Sequence, residues 1–442
     1  MPNFKINKRL LLMKICFFIF DSGTAPITPF LPIIAKQRGI PVFISALIFT
    51  ILPILNVLVR PLVGYMTDRW RCRKAVFLCA SLSTAIVNPI LHFIPTLTDK
   101  EKLDDVNILT TWKFWLFLLV ITLSRVLWMI VDVLQDTICI NILGKESSNY
   151  GSQRIFGAVG WGFSSLFTGW CIDWYSQGEK EKNFLPAFAI SSFLMTIHFL
   201  VASNLENKEK KNIVKVEGAI LKVMSDIKVV AYLLWTTFAG IFTAFIWYFI
   251  FIYIEEISEL YHPERKPWLN TIEGFSFLIQ CVVGELPIFL MFGFILKIIG
   301  HMTAFSISFI MFGVRFYLYS IIKDPVWTLP VELLNGVSFA IAFLSGISYA
   351  AKVAPPGCEG TLQGLFGMAF QGLGISVGCF IAGYTFENMG SSKSFRLMSF
   401  VAFFVFVVQV LVNKLIQKRK NNNYNRKEEL GSVQEMKNLQ SI

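Results

Sequence analysis

Apolar runs of about 20 residues recur along the chain, separated by short stretches that are charged or contain Pro and Gly. Each run is long enough to cross the ~30 Å hydrocarbon core of a bilayer. Backbone groups in lipid must be hydrogen-bonded within the protein, and the runs lack the alternation of barrel strands, so we predict helices. The runs lie near residues 10–35, 42–66, 75–95, 112–141, 154–173, 184–203, 228–253, 270–297, 302–321, 326–350, 358–384 and 394–415.

This pattern predicts an all-α integral membrane protein with twelve transmembrane helices, and composition and charge support it. Of the 442 residues, 55% are apolar and only 16% are charged, whereas a soluble protein carries about a quarter charged residues. Connections on the side that holds both termini carry about twice as many Lys and Arg residues as those on the other side. Because cytoplasmic loops are enriched in these residues, we expect both the N-terminus and the C-terminus to be cytoplasmic.

The longest polar stretch between runs divides the chain into two sets of six helices. We therefore predict an N-terminal six-helix bundle over 1–203, a cytoplasmic linker over 204–227 and a C-terminal six-helix bundle over 228–416. A polar, Asn-rich tail over 417–442 is expected to be disordered. Two repeated halves with a basic linker are the layout typical of secondary transporters.

The eight cysteines lack metal-binding spacing, and the sequence contains no Walker loop, nucleophile elbow or zinc motif. We therefore predict no metal, no cofactor and no enzyme activity. The expected partners are the lipid bilayer and a small organic solute, with no nucleic acid, and we expect a monomer. The sequence leaves open whether the membrane is the plasma membrane or an endomembrane.

The connection after the second run carries Gly64, Asp68, Arg69 and Arg73 at a specific spacing. Asp68 lies at a helix end, where it can pair with Arg69 or Arg73. This resembles the G-x-x-x-D-R-x-x-x-R-R/K loop of the major facilitator superfamily, although a generic basic loop is the alternative. The resemblance implies a cytoplasmic latch for the outward-facing state.

Three further stretches resemble the branch of major facilitator superfamily domain-containing protein six. They are Tyr150–Gly162, Pro330–Gly336 and Ala354–Leu365, in the fifth, tenth and eleventh runs. More distantly, they are similar to lactose permease and to nucleoside/proton symporters. Their glycines also have a plain explanation, because small residues let membrane helices pack closely.

Charged residues inside the runs need partners, a wet cavity or a function, because burying a charge in lipid is costly. Arg125, Asp132 and Asp136 fall on one stripe of the fourth helix at 100° per residue, so they face the bundle interior. We predict Asp132 as a substrate or proton carboxylate, against a structural pair with Arg125. Asp21 in the first run and Arg125 itself are further candidates for substrate binding or proton coupling, and Asp136 could simply bind Arg154.

Glu285, Arg315 and Glu332 place an acid, a base and an acid on three successive helices. Lactose permease has a similar set, and the resemblance implies a role in proton coupling. An Arg that approaches or leaves a buried carboxyl changes its proton affinity, which gives the set a mechanism. A fixed structural ion pair between the helices is the alternative.

The favoured function is a secondary active transporter that works by alternating access on a small organic solute, with proton-coupled symport left open. The alternative is a non-transporting membrane receptor or scaffold on the same fold. An ion channel is disfavoured because no filter-like loop occurs.

Overall fold

The computed structural model describes residues 8–97, 105–143, 150–177, 179, 181–205, 226–354 and 359–440. Every regular element in these ranges is helical. The N-terminal half contains α1 Lys8–Thr24, α2 Leu31–Gln37, α3 Val42–Trp70, α4 Arg73–Phe93, α5 Asp105–Thr110, α6 Trp112–Leu143, α7 Tyr150–Ser176 and α8 Leu185–Ser203.

The C-terminal half is helical as well, but π-helical segments interrupt three of its spans. Its elements are α9 Ile227–Tyr261, α10 Leu269–Leu278, π1 Ile279–Glu285, α11 Leu286–Ile299, α12 His301–Ile321, α13 Thr328–Glu332, π2 Gly336–Ala340, α14 Ile341–Val353, α15 Glu359–Gly367, π3 Met368–Ile375, α16 Ser376–Met389 and α17 Ser391–Gln440. Pro263–Trp268 and Pro325–Trp327 form short 3₁₀ turns. Segment π1 ends two residues before Pro287, which lacks the N–H that a regular helix needs.

Eleven helices of the described chain are long and apolar enough to cross a membrane. The first predicted run does not form one continuous helix, because α1 ends at Thr24 and α2 begins at Leu31. Pro26, Pro29 and Pro32 crowd this break, and proline removes the backbone donor that a helix interior requires. The multi-pass membrane fold is confirmed, whereas the count of twelve and the side of the termini stay predictions.

The helices run between two ends, which we name by the connections they carry. The terminal end holds the start of α1, the α3–α4 turn at Arg71 and the α11–α12 turn at Gly300. The distal end holds the connections at 177–184, 262–268 and 322–327. The halves can therefore be compared at each end.

The two halves pack closely at the distal end and at mid-height. There α7 and α10 cross with almost no space between backbones, since a Cβ on Gly274 would lie 2.5 Å from the Ser165 carbonyl oxygen. A Cβ on Gly169 would lie closer still to the Asn270 carbonyl oxygen. One buried apolar cluster runs through both halves here, from Phe30 to Phe251, whose ring centroids are 5.0 Å apart.

The terminal end is organised differently. A second buried cluster, which includes Phe17, Phe77, Leu134 and Met195, is drawn from the N-terminal half alone. The halves thus share a core toward the distal end, while the N-terminal half keeps its own core toward the terminal end.

The last helix extends beyond the membrane run into the predicted tail. We expected disorder over 417–442, but α17 continues to Gln440. The stretch contains no proline and is rich in Lys, Glu and Gln, which favour helix. The last transmembrane helix can therefore continue into this polar stretch after it leaves the membrane.

Candidate functional site

Asp132 lies between two arginines in the N-terminal half. Its carboxylate is 3.0 Å from Nη2 of Arg60 on α3 and 3.1 Å from Nη2 of Arg154 on α7. The Asp132 side chain is 5% exposed, whereas those of Arg60 and Arg154 are about one-third exposed. The predicted alternative pair with Arg125 is wrong, because Asp132 binds two other helices instead.

Arg154 is shared among three acids. Its Nη1 lies 3.9 Å from both Asp21 on α1 and Asp136 on α6, which gives Asp136 the partner we expected. Asp21 reaches this position only because Gly157, one turn after Arg154, leaves room for its carboxylate. We call Asp21, Arg60, Asp132, Asp136 and Arg154 the N-terminal cluster. It joins four helices of one half.

Arg125 lies apart from that cluster, where the halves meet at mid-height. Its Nη1 donates to Oγ1 of Thr28, in the break between α1 and α2, at 3.0 Å. Its guanidinium lies 4.7 Å from the centre of the Trp128 ring and beside the hydroxyl of Tyr248 on α9. Among the described residues no carboxylate pairs with Arg125, in contrast to Arg315, the other buried arginine, which binds Glu332.

Arg315 and Glu332 form a fully buried ion pair in the C-terminal half. Nε of Arg315 donates to the Tyr319 hydroxyl at 3.0 Å, and that hydroxyl donates to Glu332 at 2.8 Å. Ser276 on α10 donates to the same carboxylate at 3.0 Å. The side chains of Arg315 and Glu332 are 0% exposed, so this pair is dry and fully hydrogen-bonded.

Glu285 joins this pair through Asn335. Nδ2 of Asn335 donates to Glu285 at 2.7 Å, and its Oδ1 accepts from Arg315 at 2.5 Å. We call Glu285, Arg315, Glu332, Asn335 and Tyr319 the C-terminal cluster. Segments π1 and π2 allow the approach, because Gly284 and Gly336 meet backbone to backbone. The three residues predicted from the sequence are therefore brought together.

Asn335 and Tyr319 were not predicted, although the sequence carried a signal for both. Asn335 lies three residues after Glu332 and Tyr319 four residues after Arg315. Side chains at these spacings share a helix face. A search for polar side chains one helical turn after each buried charge would have found both residues.

A third polar cluster lies at the distal end, between the halves. Asp173 on α7 accepts from Lys182 at 2.7 Å, from Asn270 at 2.9 Å and from both the backbone N–H and the hydroxyl of Thr271 at 2.7 Å. Lys36 donates to Glu255 on α9 at 2.7 Å. The contacts of Asp173 with Asn270 and Thr271, and that of Lys36 with Glu255, cross from one half to the other. We call the residues of all these contacts the distal cluster.

Comparisons with known proteins agree with this architecture. The model of the MFS_1 like family matches residues 10–397. The chain belongs to this family. It is similar to the uncharacterized transporter YwbF of Bacillus subtilis, with 19% identity over 88% of this chain and 89% of that one. The solved nucleoside transporter NupG shares the fold, with a TM-score of 0.70 at 17% identity, over 91% of this chain and 99% of NupG.

A further relative supports the narrower resemblance drawn from the sequence. The major facilitator superfamily domain-containing protein 6-like protein B of Xenopus laevis is 22% identical over 63% of this chain. This match covers 45% of that protein. The family and fold are those of transporters, which are not enzymes.

The predicted latch of this MFS_1 like protein is only partly described. Helix α3 ends at Trp70, Arg71 takes a left-handed conformation with φ 51°, and α4 begins at Arg73. Arg69 and Arg73 therefore flank a tight turn at the terminal end. The details of Gly64 and of the Asp68 side chain lie outside the described residues, so the latch stays a prediction.

Proposed function

We propose that this secondary transporter of the major facilitator fold moves a small organic solute by alternating access, with proton coupling through the C-terminal cluster. The observation that carries the proposal is the asymmetry of the packing between the halves. They share a buried core toward the distal end, whereas the N-terminal half has a separate core toward the terminal end. If the terminal end is cytoplasmic, as the loop charges indicate, this conformation is closed to the outside.

Arg125 is the proposed solute-binding residue. It is 9% exposed, lies where the halves meet, and has hydroxyl and aromatic neighbours from α6, α9 and the break after α1. A buried guanidinium without a carboxylate partner retains donors for a ligand, and burying it unpaired is costly. Trp128 and Tyr248 add flat surfaces on which an organic solute can pack.

The C-terminal cluster is the proposed coupling site. Arg315 holds Glu332 directly and Glu285 through Asn335. A shift of α12 against α13 would change which carboxylate the guanidinium neutralises. An acid that loses its positive neighbour in a dry site binds a proton more readily, so movement of the halves would be linked to proton uptake.

The N-terminal cluster has a different proposed role. Arg60 and Arg154 both hold Asp132, and Arg154 also approaches Asp21 and Asp136. Three acids that share two arginines can exchange partners at small cost when helices shift. We propose that Asp132 and Asp21 respond to the bound solute through such exchanges.

Uptake into proteoliposomes tests the function. Purified protein would be reconstituted and offered a panel of labelled organic metabolites, with and without an inward proton gradient. We expect at least one solute to enter faster than into protein-free liposomes, and Arg125→Gln to abolish that uptake. Arg265→Gln, in the exposed distal connection, is the matched control and should transport normally.

The coupling role needs a separate readout. We expect Glu285→Gln to remove the response of uptake to the proton gradient while downhill equilibration of the solute continues. Absence of flux for the whole panel would favour a receptor or scaffold on this fold. Gradient-driven uptake by Glu285→Gln at the normal rate would remove only the coupling proposal.

A further inference from the structure

Glu273 lies in the first turns of α10, where this helix packs against α7 of the other half. The residue is 1% exposed. Neither of its carboxylate oxygens has a hydrogen-bond partner among the described residues. It is thus a buried acid without a donor, at the distal contact between the halves. Neither the coupling proposal nor the predicted site residues use it.

The surrounding charges do not neutralise Glu273. Lys182 is bound by Asp173 and Lys36 by Glu255, each at 2.7 Å, so both nearby lysines already have an acid partner. The groups that face Glu273 are Asp173, Lys182, Lys36 and Glu255. From α13, Glu332 approaches the same helix through Ser276, but it is neutralised by Arg315.

The count of charges then decides the protonation state. Two lysines and two paired acids cancel, and an ionised Glu273 would leave one buried negative charge without a hydrogen bond. Such a charge is far more costly to bury than a neutral carboxylic acid. We propose that Glu273 is a proton-binding site of the distal interface, occupied while the interface is closed and vacated when it opens to water.

This inference rests on the proposed alternating access. It assigns the proton on Glu273 to the conformation in which the distal end is closed, and not to the one in which that end is open. In the closed conformation the carboxyl is shielded from water, because Glu273 is buried on α10 where this helix packs against α7. When the halves part at the distal end, water reaches Glu273 and can stabilise its ionised form. Closure of the distal end and binding of one proton are then a single linked equilibrium.

The test measures the distal opening as a function of pH without any solute. Spin labels would replace Glu181 and Glu264, which are exposed on opposite halves at the distal end, after removal of the native cysteines. Pulsed electron paramagnetic resonance then gives the fraction of closed molecules. As the pH rises through the titration of Glu273, we expect the closed-to-open ratio of the wild type to fall by up to about tenfold per pH unit.

Glu273→Gln should hold the distal end closed over the same pH range, because a neutral amide replaces the neutral acid. Thr271→Val is the matched control: it removes a neutral hydroxyl that donates to Asp173, so it weakens closure at every pH but leaves the charges around Glu273 unchanged and should keep the pH dependence. If Glu273→Gln does not fold, Glu273→Met offers a neutral side chain of similar length. An unchanged pH response in a folded neutral variant would overturn the proposal.

Infrared spectroscopy provides an independent readout. The wild type should show the carbonyl stretch of a protonated carboxylic acid that is missing from the Glu273→Gln spectrum at the same pH. Identical carboxylic-acid bands in the two proteins would also overturn the proposal. Neither measurement needs a solute. A failure to detect transport would therefore contradict the proposed function, while the spin-label and infrared results on Glu273 could still be interpreted.

Discussion

The N-terminal and C-terminal clusters both combine arginine with carboxylates, but they hold these charges in opposite ways. In the C-terminal cluster, Arg315 and Glu332 are 0% exposed and engage further partners in Tyr319, Ser276 and Asn335. In the N-terminal cluster, the Arg60 and Arg154 side chains are 33% and 31% exposed. Two of the contacts of Arg154 are as long as 3.9 Å.

This difference in exposure indicates which cluster is rigid and which can exchange its ion-pair partners. A dry, fully hydrogen-bonded pair is expensive to break, because removal of one partner leaves a buried charge. A partly wet cluster is held by weaker, screened contacts that can be exchanged. We therefore infer that the C-terminal cluster is broken only when helix movement is accompanied by a change of protonation, whereas the N-terminal cluster rearranges with small helix movements alone.

The largest expected effect comes from breaking the dry pair. Arg315→Gln leaves Glu332 buried without its counter-charge, so we expect a loss of about 3–5 kcal/mol in the free energy of unfolding. Thermal unfolding in detergent measures it. The double variant Arg315→Gln/Glu332→Gln should recover most of the loss, because both charges are gone. A single variant as stable as the wild type would show that the pair is not dry.

An intermediate effect is expected where the N-terminal cluster depends on packing. A methyl group in Gly157→Ala would occupy the space of the Asp21 carboxylate. We expect a cost of about 1–3 kcal/mol, typical of overpacking, in the same unfolding assay. Gly151→Ala, on the same helix where a methyl group meets open space, is the control and should be near neutral. Equal stability of both variants would contradict the placement of Asp21.

The smallest effect on stability is expected at Asp132. Asp132→Asn removes the charge that Arg60 and Arg154 share, but both arginines reach water. We expect a change of about 1 kcal/mol, as for partly exposed ion pairs, together with slower solute uptake. The comparison with Arg315→Gln is the informative one. A loss at Asp132 as large as that at Arg315 would mean that the two clusters do not differ in the way their exposure indicates.

Much of the fold was predictable from the sequence, because the apolar runs and the lipid solvent leave few alternatives to helices. Pro26 and Pro29 indicate the break between α1 and α2, because proline disfavours the interior of a helix. The apolar composition of the whole run nevertheless predicts one span. The stripe of Arg125, Asp132 and Asp136 correctly faced the interior. Helical periodicity gives a direction for such side chains but not a partner, so the alternative considered for Asp132, a pair with Arg125, was wrong, and Arg60 and Arg154 hold it instead.

The distal cluster was the least predictable part. Asp173 falls at the end of the fifth run, and Glu273 near the start of the eighth run, whose beginning was uncertain. Charged residues at the ends of spans usually reach water, so they carry no signal of burial. Here the packing of α7 against α10 buries them. That contact joins residues about 100 positions apart, and no local pattern encodes it.

The most direct test of the central idea, that the halves are joined at one end and part at the other, is a pair of distance measurements on the whole protein in lipid. One pair of spin labels spans the distal end at Glu181 and Glu264, and the other spans the terminal end at Asn204 and Lys352. We expect two populations at each end, with the distal distance short whenever the terminal distance is long. One narrow distance at each end, unchanged by pH and by transported solute, would contradict a rocking transporter.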